Sequence, residues 1–445
     1  MTAVAGRAEV FRYVGYDIDA ERRQVVCHYR LDDLRFREAF TVPDGRDWEA
    51  PATAAAARLL FLLAAVSYYK AGAPPVVDLG DTALTDTELR FLQEFYRGGL
   101  GEFEYRNGLD LSDVQFVAQR RAEPVHAALA GDEGRPLIPF GGGVDSIVSL
   151  ELIRPRAKDP ALFVVNRPAD RFAAIEQPAA VAGLPVVRAE RLIDEQILRS
   201  AELGFLNGHV PVTGIISAIA VLAAVVTGRD AVVMSNEWSA SSATLRIGDR
   251  DINHQYSKSE AFEAGLREVL AESLAAPPDY FSLLRPFSEL WIARRFAELP
   301  QYFDAFRSCN RAFHIDPARR LDHWCGRCDK CCFIDLILAP FVPAATLRRV
   351  FGGSEPLDDI TLLDPFRTLL ALTPDAKPWE CVGDETECRV AARLAADRAD
   401  RRDSPVLAAL VAESSGWPDP DDAHLLRPIG RHFIPDRYAP DDLLG

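Results

Sequence analysis

The 445-residue sequence contains no Gly-Lys pair, which excludes a Walker-type phosphate loop. It also lacks an apolar run near the roughly 20 residues of a membrane-spanning helix. The two most apolar stretches, Leu59 to Val66 and Ile215 to Val226, are much shorter and read as buried helices. Met1 to Val10 carries Arg7 and Glu9 and no apolar core of a secretory leader. Positive charge is not in excess: a formal net charge of −16 and a pI near 5.1 count against a general nucleic-acid binder. No internal repeat is visible. These absences predict a soluble, cytoplasmic protein with neither a membrane nor a nucleic-acid partner. What is present, 48% hydrophobic and 26% charged residues, suits a globular chain of two or three domains.

Strand-like segments at Phe11 to Ile18, Gln24 to Leu31 and Arg37 to Val42, with the turn Pro43-Asp44-Gly45, predict an antiparallel meander. Helices are expected over Ala52 to Tyr69 and Thr85 to Tyr96, the second stopped by Gly98-Gly99. From Pro136 the pattern becomes strand, glycine turn, helix, strand. Pro136 to Phe140, Ala161 to Asn166, Pro185 to Val187 and Ala231 to Met234 are the strands. Ser146 to Leu152, Arg171 to Ala182 and Ile215 to Val226 are the intervening helices. This alternation is the signature of an α/β fold with a parallel sheet, which takes its ligand at the carboxyl ends of the strands. The expected organisation is an N-terminal α+β part (1–130), an α/β core (131–275), a helical region with a cysteine cluster (276–370) and a tail (371–445). The tail, with Glu413 to Pro418 as a loop, offers no chemistry.

Phe140-Gly141-Gly142-Gly143-Val144-Asp145-Ser146 is the strongest single signal. Three glycines between a strand and a helix let bare backbone N–H groups close on a phosphate, reinforced by the helix N-terminus and the Ser146 hydroxyl. Asp145 would repel that phosphate unless Mg²⁺ lay between them, so the combination points to a metal–polyphosphate ligand. The competing reading is a tight turn without a ligand. The segment resembles the Ser-Gly-Gly-x-Asp-Ser signature of the PP-loop ATP pyrophosphatases, with Gly141 at the first serine position. That resemblance implies ATP as a substrate, and it makes Asn166, at the end of the following strand, a candidate contact near the base or ribose.

Three polar loops adjoin apolar elements: Asn207 to Thr213, Ser235 to Ser239 and Asn253 to Ser259. His209 and His254 are candidate general bases, Lys258 a candidate for neutralising phosphate charge, and Glu237 a base or Mg²⁺ ligand. Capped turns and solvated polar groups are the plain alternative.

Eight cysteines are present, five of them between Cys309 and Cys332. The x2 spacings of Cys325, Cys328 and Cys331, with Cys309 sixteen positions before Cys325, fit a four-thiolate zinc site and leave Cys332 spare. A ferredoxin-type cluster would want a cysteine where Asp335 stands. A reduced run without metal is the other reading. The zinc-dependent PP-loop enzymes that make 7-deazaguanine nucleosides carry a similar cysteine arrangement.

Taken together, Gly141 to Ser146, Asn236-Glu237, Asn253 to Ser257, Ser308 to Asn310 and Trp324 to Phe333 resemble the MurL family, the UDP-N-acetylmuramoyl-L-alanyl-L-glutamate epimerases, from about residue 100 to 345. The resemblance implies inversion of the terminal L-glutamate of UDP-MurNAc-L-Ala-L-Glu, with ATP and Mg²⁺ consumed and AMP and pyrophosphate released. Gly141, Gly142, Gly143 and Ser146 would hold phosphates and Asp145 would bear on Mg²⁺. The inverting base stays open among His254, His209, Tyr256, Lys258 and a thiol such as Cys332. Two other readings compete. One is a PP-loop ligase or 7-deazaguanine-type synthase acting on another carboxylate. The other is a non-catalytic zinc ribbon, which the acidic charge balance disfavours.

Overall fold

The computed structural model describes residues 8–121, 132–247, 250–373, 378–414 and 422–444. Residues 415–418 of the expected tail loop lie outside them. Twelve strands are described: β1 (Val10–Asp19), β2 (Gln24–Leu31), β3 (Leu34–Thr41), β4 (Val76–Asp78), β5 (Gln115–Val117), β6 (Asp132–Pro139), β7 (Ala161–Asn166), β8 (Val186–Leu192), β9 (Arg229–Met234), β10 (Leu245–Ile247), β11 (Arg250–Ile252) and β12 (Asp279–Ser282). Ten of them form one sheet in the order β12-β9-β6-β7-β8-β3-β2-β1-β4-β5, and β10 and β11 form a separate hairpin.

The half from β12 to β8 is parallel throughout, as the strand–helix alternation predicts. β8 then pairs antiparallel with β3 over Ala39–Leu192, Phe40–Arg191 and Thr41–Glu190, so the N-terminal meander continues the core sheet. β12 lies in the stretch after Pro278 that reads as mostly helical. Its four residues, Asp-Tyr-Phe-Ser, are too few to show a period.

Alternate residues of the central strands supply two cores, as the two-residue period of a strand dictates. Leu137, Phe163, Val232 and Met234 join one apolar cluster; Ile138, Leu162, Val164, Ala231 and Val233 join the other. The first face is covered by the helical stretch Pro51–Tyr69 and the helix Val212–Val226, the second by helices Val144–Ile153, Ala173–Ala182, Glu289–Ala297 and Asp329–Leu338. The 19-residue stretch Pro51–Tyr69, with mean hydropathy 1.5, is longer than its apolar run suggests and meets a membrane helix in length and composition. However, 83% of its most apolar window is buried inside this chain.

The helix Asp86–Gly99 ends at Gly98-Gly99, as expected. A side chain there would strike the Tyr256 ring (2.5 Å from a Cβ on Gly98) or Pro211 (2.5 Å from one on Gly99), so these glycines allow close packing.

Candidate active site

Helices lie on opposite faces of the sheet on either side of the β9–β6 pair, which opens a crevice outside the carboxyl ends of those strands. A cavity of about 410 Å³ occupies it. Its lining includes Gly141, Gly143, Asp145 and Ser146 after β6, Ser235 and Asn236 after β9, and Lys258, Arg307 and Ser308 from further along the chain.

The glycine turn is held by geometry. Gly142 has φ +75°, and a Cβ there would stand 2.2 Å from the Ala174 carbonyl oxygen and 2.9 Å from Pro178 Cγ. A Cβ on Gly143 would meet Ser308 Oγ at 2.7 Å, whereas Gly141 faces open space. Gly143 is the N-cap of the helix Val144–Ile153, and Ser146 Oγ donates to the Gly143 carbonyl at 3.1 Å. Gly142→Ala should therefore cost about 2–5 kcal/mol, from the left-handed backbone and the overlap combined. Gly141→Ala should leave the unfolding free energy within about 0.5 kcal/mol of the wild type; urea unfolding of the two variants checks the contrast.

Among the described residues, Arg307 Nε, Ser235 Oγ and Asn166 Oδ1 are buried without a hydrogen-bond partner. Buried polar atoms normally have one, and Ser235 and Arg307 line the cavity, which makes their free atoms candidates for ligand contact. Arg307 escapes sequence reasoning, since no motif marks it; its backbone N–H donates to the Gly142 carbonyl at 3.3 Å. Asn166, also buried, donates from Nδ2 to the Arg167 carbonyl at 2.7 Å.

Below the turn lies a group of acids. Burial, and then repulsion by Glu237, push the Asp145 carboxyl up to about 6, opposed by Lys330 and Lys258. Glu289 is driven well above the carboxylate range by burial and by Asp145 and Glu237. Repulsion between acids is what a divalent cation relieves; of the three only Asp145 lines the cavity, and among the described residues their oxygens do not gather within 4.8 Å, so Asp145 is the carboxylate that would bear on Mg²⁺ there. Glu289, at the start of its helix, is not legible in the sequence. The loop carrying Glu237 is fixed by the buried Arg285, which donates to the Glu237 carbonyl at 2.8 Å, to the Lys258 carbonyl, and to Glu263 at 3.1 Å. Asn236 Nδ2 donates to Ser282 Oγ at 2.9 Å.

A second titratable group adjoins the first through Lys258. Its Nζ donates to Gln255 Oε1 and to Cys381 Sγ, each at 3.1 Å. Burial opposes the Lys258 charge, but Cys381, Glu237 and Asp145 outweigh it and hold the ammonium protonated. Cys381 also interacts with the neighbouring His254, whose Nδ1 lies 2.5 Å from Glu102 Oε2. Burial lowers His254, yet Cys381 and Glu102 raise it to about 9. His209 stacks on His254 with ring centroids 4.3 Å apart; burial and the neighbouring imidazolium bring it down to about 4. Cys381 itself is raised by burial but drawn down to about 6 by Lys258, His254 and Lys330.

The tail is therefore not devoid of chemistry: Cys381 lies in it. Its loop is anchored by Lys330, which donates to the Cys381 carbonyl, and by Asn310 Nδ2, which donates to Glu380 Oε1 at 2.7 Å. Tyr256 stands apart from the titratable group. Its ring packs over Gly98 and against Phe262, and burial raises its hydroxyl. Cys332 is fully buried in the second core, which raises its thiol; the thiol brought beside the cavity-lining Lys258 is Cys381.

Cys309, Cys325, Cys328 and Cys331 place their sulfurs within 4.8 Å of one another, with Cys328–Cys331 at 3.4 Å and Cys325–Cys331 at 3.6 Å. Tetrahedral zinc with Zn–S near 2.3 Å sets sulfurs about 3.8 Å apart, so this set fits the ion. Gly326, at φ +66°, makes the turn between the two x2 cysteines. The cluster joins two segments that face the cavity region: Arg307-Ser308 directly before Cys309, and Lys330 between Cys328 and Cys331.

Comparison with known proteins gives matches along most of the chain. The model of the MurL N-terminal domain matches residues 2–283 and that of the MurL C-terminal domain residues 305–425. The UDP-N-acetyl-alpha-D-muramoyl-L-alanyl-L-glutamate epimerase of Xanthomonas oryzae pv. oryzae is 37% identical over 96% of this chain and 95% of its own length. Proteins of the same name from Salinispora tropica and a Micromonospora species are each 38% identical, covering 99% and 97% of this chain and 96% and 97% of their own lengths. No solved structure matches. The chain belongs to the MurL family of epimerases.

Proposed function

We propose that this protein inverts the terminal L-glutamate of UDP-MurNAc-L-Ala-L-Glu to the D-form, a step in making peptidoglycan precursor, by first adenylating its free carboxylate with ATP. The observation that carries the reading is the continuity of the phosphate-type turn at Gly141 to Ser146 with the titratable group at Lys258, across one cavity.

The chemistry requires both halves. Removing an α-proton beside a free carboxylate builds a second negative charge on the same few atoms. Converting the carboxylate to a mixed anhydride with AMP gives the carbanion a carbonyl into which it delocalises. The backbone N–H groups of Gly141, Gly142 and Gly143 and the helix N-terminus behind them are arranged for polyphosphate, as in PP-loop enzymes. The unpaired Arg307 Nε and Ser235 Oγ add donors, and Asn166 Oδ1 an acceptor suited to a ribose hydroxyl or an adenine amine. Asp145 would bear on Mg²⁺, with Glu237 the second candidate ligand, and the ion would supply charge neutralisation to the phosphates. Lys258 reaches the same cavity and stabilises charge on departing pyrophosphate. Water then frees the inverted glutamate from AMP.

The test is incubation with ATP, Mg²⁺ and UDP-MurNAc-L-Ala-L-Glu, followed by chiral analysis of glutamate and separation of adenine nucleotides. D-glutamate accompanied by AMP is expected; unchanged L-glutamate, or ADP as the nucleotide product, refutes the reading.

A further inference from the structure

Inverting a carbon centre needs a group that removes a proton, and most of the titratable residues here are in the wrong state or place. Lys258 is held protonated among Cys381, Glu237 and Asp145. His254 is pinned between Glu102 and Cys381, with no lone pair to offer while it carries its charge. The Tyr256 ring is packing against Gly98. His209 is covered on one side by the His254 ring.

Cys381 differs from all of these. It receives a hydrogen bond from Lys258 Nζ at 3.1 Å, the neighbouring His254 also draws its thiol down, and Lys330 donates to its backbone carbonyl. Lys258 meets its sulfur, with His254 and Lys330 close by, and the residue is partly exposed, while Cys27, Cys332 and Cys388 are buried. Behind His254 stands Glu102, itself joined to Arg106 at 2.6 Å, so the imidazole is oriented by a carboxylate and turned toward the thiol. The groups facing Cys381 are thus Lys258, His254 and Lys330, with Glu102 and His209 behind His254 and Asp145 and Glu237 behind Lys258. An ordered Glu–His–Cys chain ending beside a lysine that lines the cavity is a device for presenting a thiolate to a substrate.

We propose that Cys381 is the group that takes the α-proton of the activated glutamate, held for that task by the hydrogen bond from Lys258, with His254 beside it. The thiolate sulfur forms the S–H bond as the Cα–H bond breaks, and the electron pair moves into the acyl carbonyl. Water gives a proton to the opposite face of the α-carbon, leaving hydroxide. The hydroxide takes the thiol proton, so the thiolate is restored and no proton is gained or lost.

This assignment rests on the adenylation reading, and two assays separate their failures. Substrate-dependent ATP–pyrophosphate exchange reports adenylation alone. Deuterium incorporation at the glutamate α-carbon in D₂O reports proton removal alone. Cys381→Ala and Cys381→Ser should keep the first within about threefold and lose the second, with epimerisation, by about 10²–10⁴-fold, the range of acid–base catalysis. In the wild type, kcat/KM for deuterium incorporation should fall as pH drops through about 6, because protonation removes the thiolate. Independently of any variant, iodoacetamide at neutral pH should alkylate Cys381 ahead of the buried cysteines, with loss of deuterium incorporation in step with labelling. Undiminished incorporation in either variant or in the alkylated enzyme overturns the proposal, as does a covalent substrate–Cys381 adduct, which would make the thiol an acyl acceptor. Absence of exchange in the wild type, with deuterium incorporation intact, rejects adenylation and leaves the Cys381 result standing.

Discussion

Asp145→Asn should reduce AMP formation by about 10³-fold, equivalent to about 4 kcal/mol, while the protein keeps its fold. The expectation follows from the surroundings of the carboxylate. Asp145 opens the helix behind the glycine turn, and Glu237 and Glu289 repel it. The amide is nearly the same size and removes one of those repelling charges, so stability should hold or rise slightly while a cation loses a ligand. The effect should appear in turnover at saturating ATP with a raised Mg²⁺ requirement, measured by titrating the metal against AMP release. Wild-type turnover in the variant, or collapse of its thermal transition, would contradict the assignment. Partial rescue by Mn²⁺, which accepts nitrogen and amide ligands more readily, would strengthen it.

Loss of the four-sulfur cluster should have the other large effect. Cys331→Ser, or prolonged treatment with a strong chelator, is expected to release one equivalent of zinc per chain and broaden or lower the thermal transition. Structural zinc sites contribute about 10–16 kcal/mol of apparent binding energy in isolated peptides, most of it realised as folding. Here the ion would tie Cys309 to the Cys325–Cys331 turn, and with it Arg307, Ser308 and Lys330. Metal loss should therefore abolish nucleotide binding as well as reduce stability. Zinc content by atomic spectroscopy before and after treatment checks the first claim and a fluorescent ATP analogue the second. A metal-free protein with an unchanged melting curve would mean that the sulfurs cluster without an ion.

Much of the parallel half of the sheet is legible in the sequence because its signals are local. β7 and the helix Val212–Val226 are continuous apolar runs bounded by turn residues, and Gly141 to Ser146 declares its own geometry. The four zinc-type cysteines are legible for the same reason: three of them lie in one turn. The parts that stay hidden depend on contacts distant along the chain. Cys381 stands in a segment rich in Pro, Asp and Glu, and its importance comes from Lys258, 123 positions earlier. Glu289 resembles any acid in the first turn of a helix until Asp145 and Glu237 are brought beside it. Tyr256 misleads in the opposite sense: it sits in a polar loop, but the absence of a side chain on Gly98 leaves room for its ring. Composition cannot distinguish a tyrosine that faces substrate from one that fills a gap.

The seam between β3 and β8 has a practical consequence. Because β8 finishes its hydrogen bonding on the meander, a fragment beginning near residue 131 would present a bare strand edge, with Arg191 stripped of its ion-pair partner Glu38. Open edges recruit other chains. Such a fragment should precipitate on expression rather than work as a miniature enzyme, and any attempt to transplant the parallel half of the sheet into another scaffold must carry the meander with it.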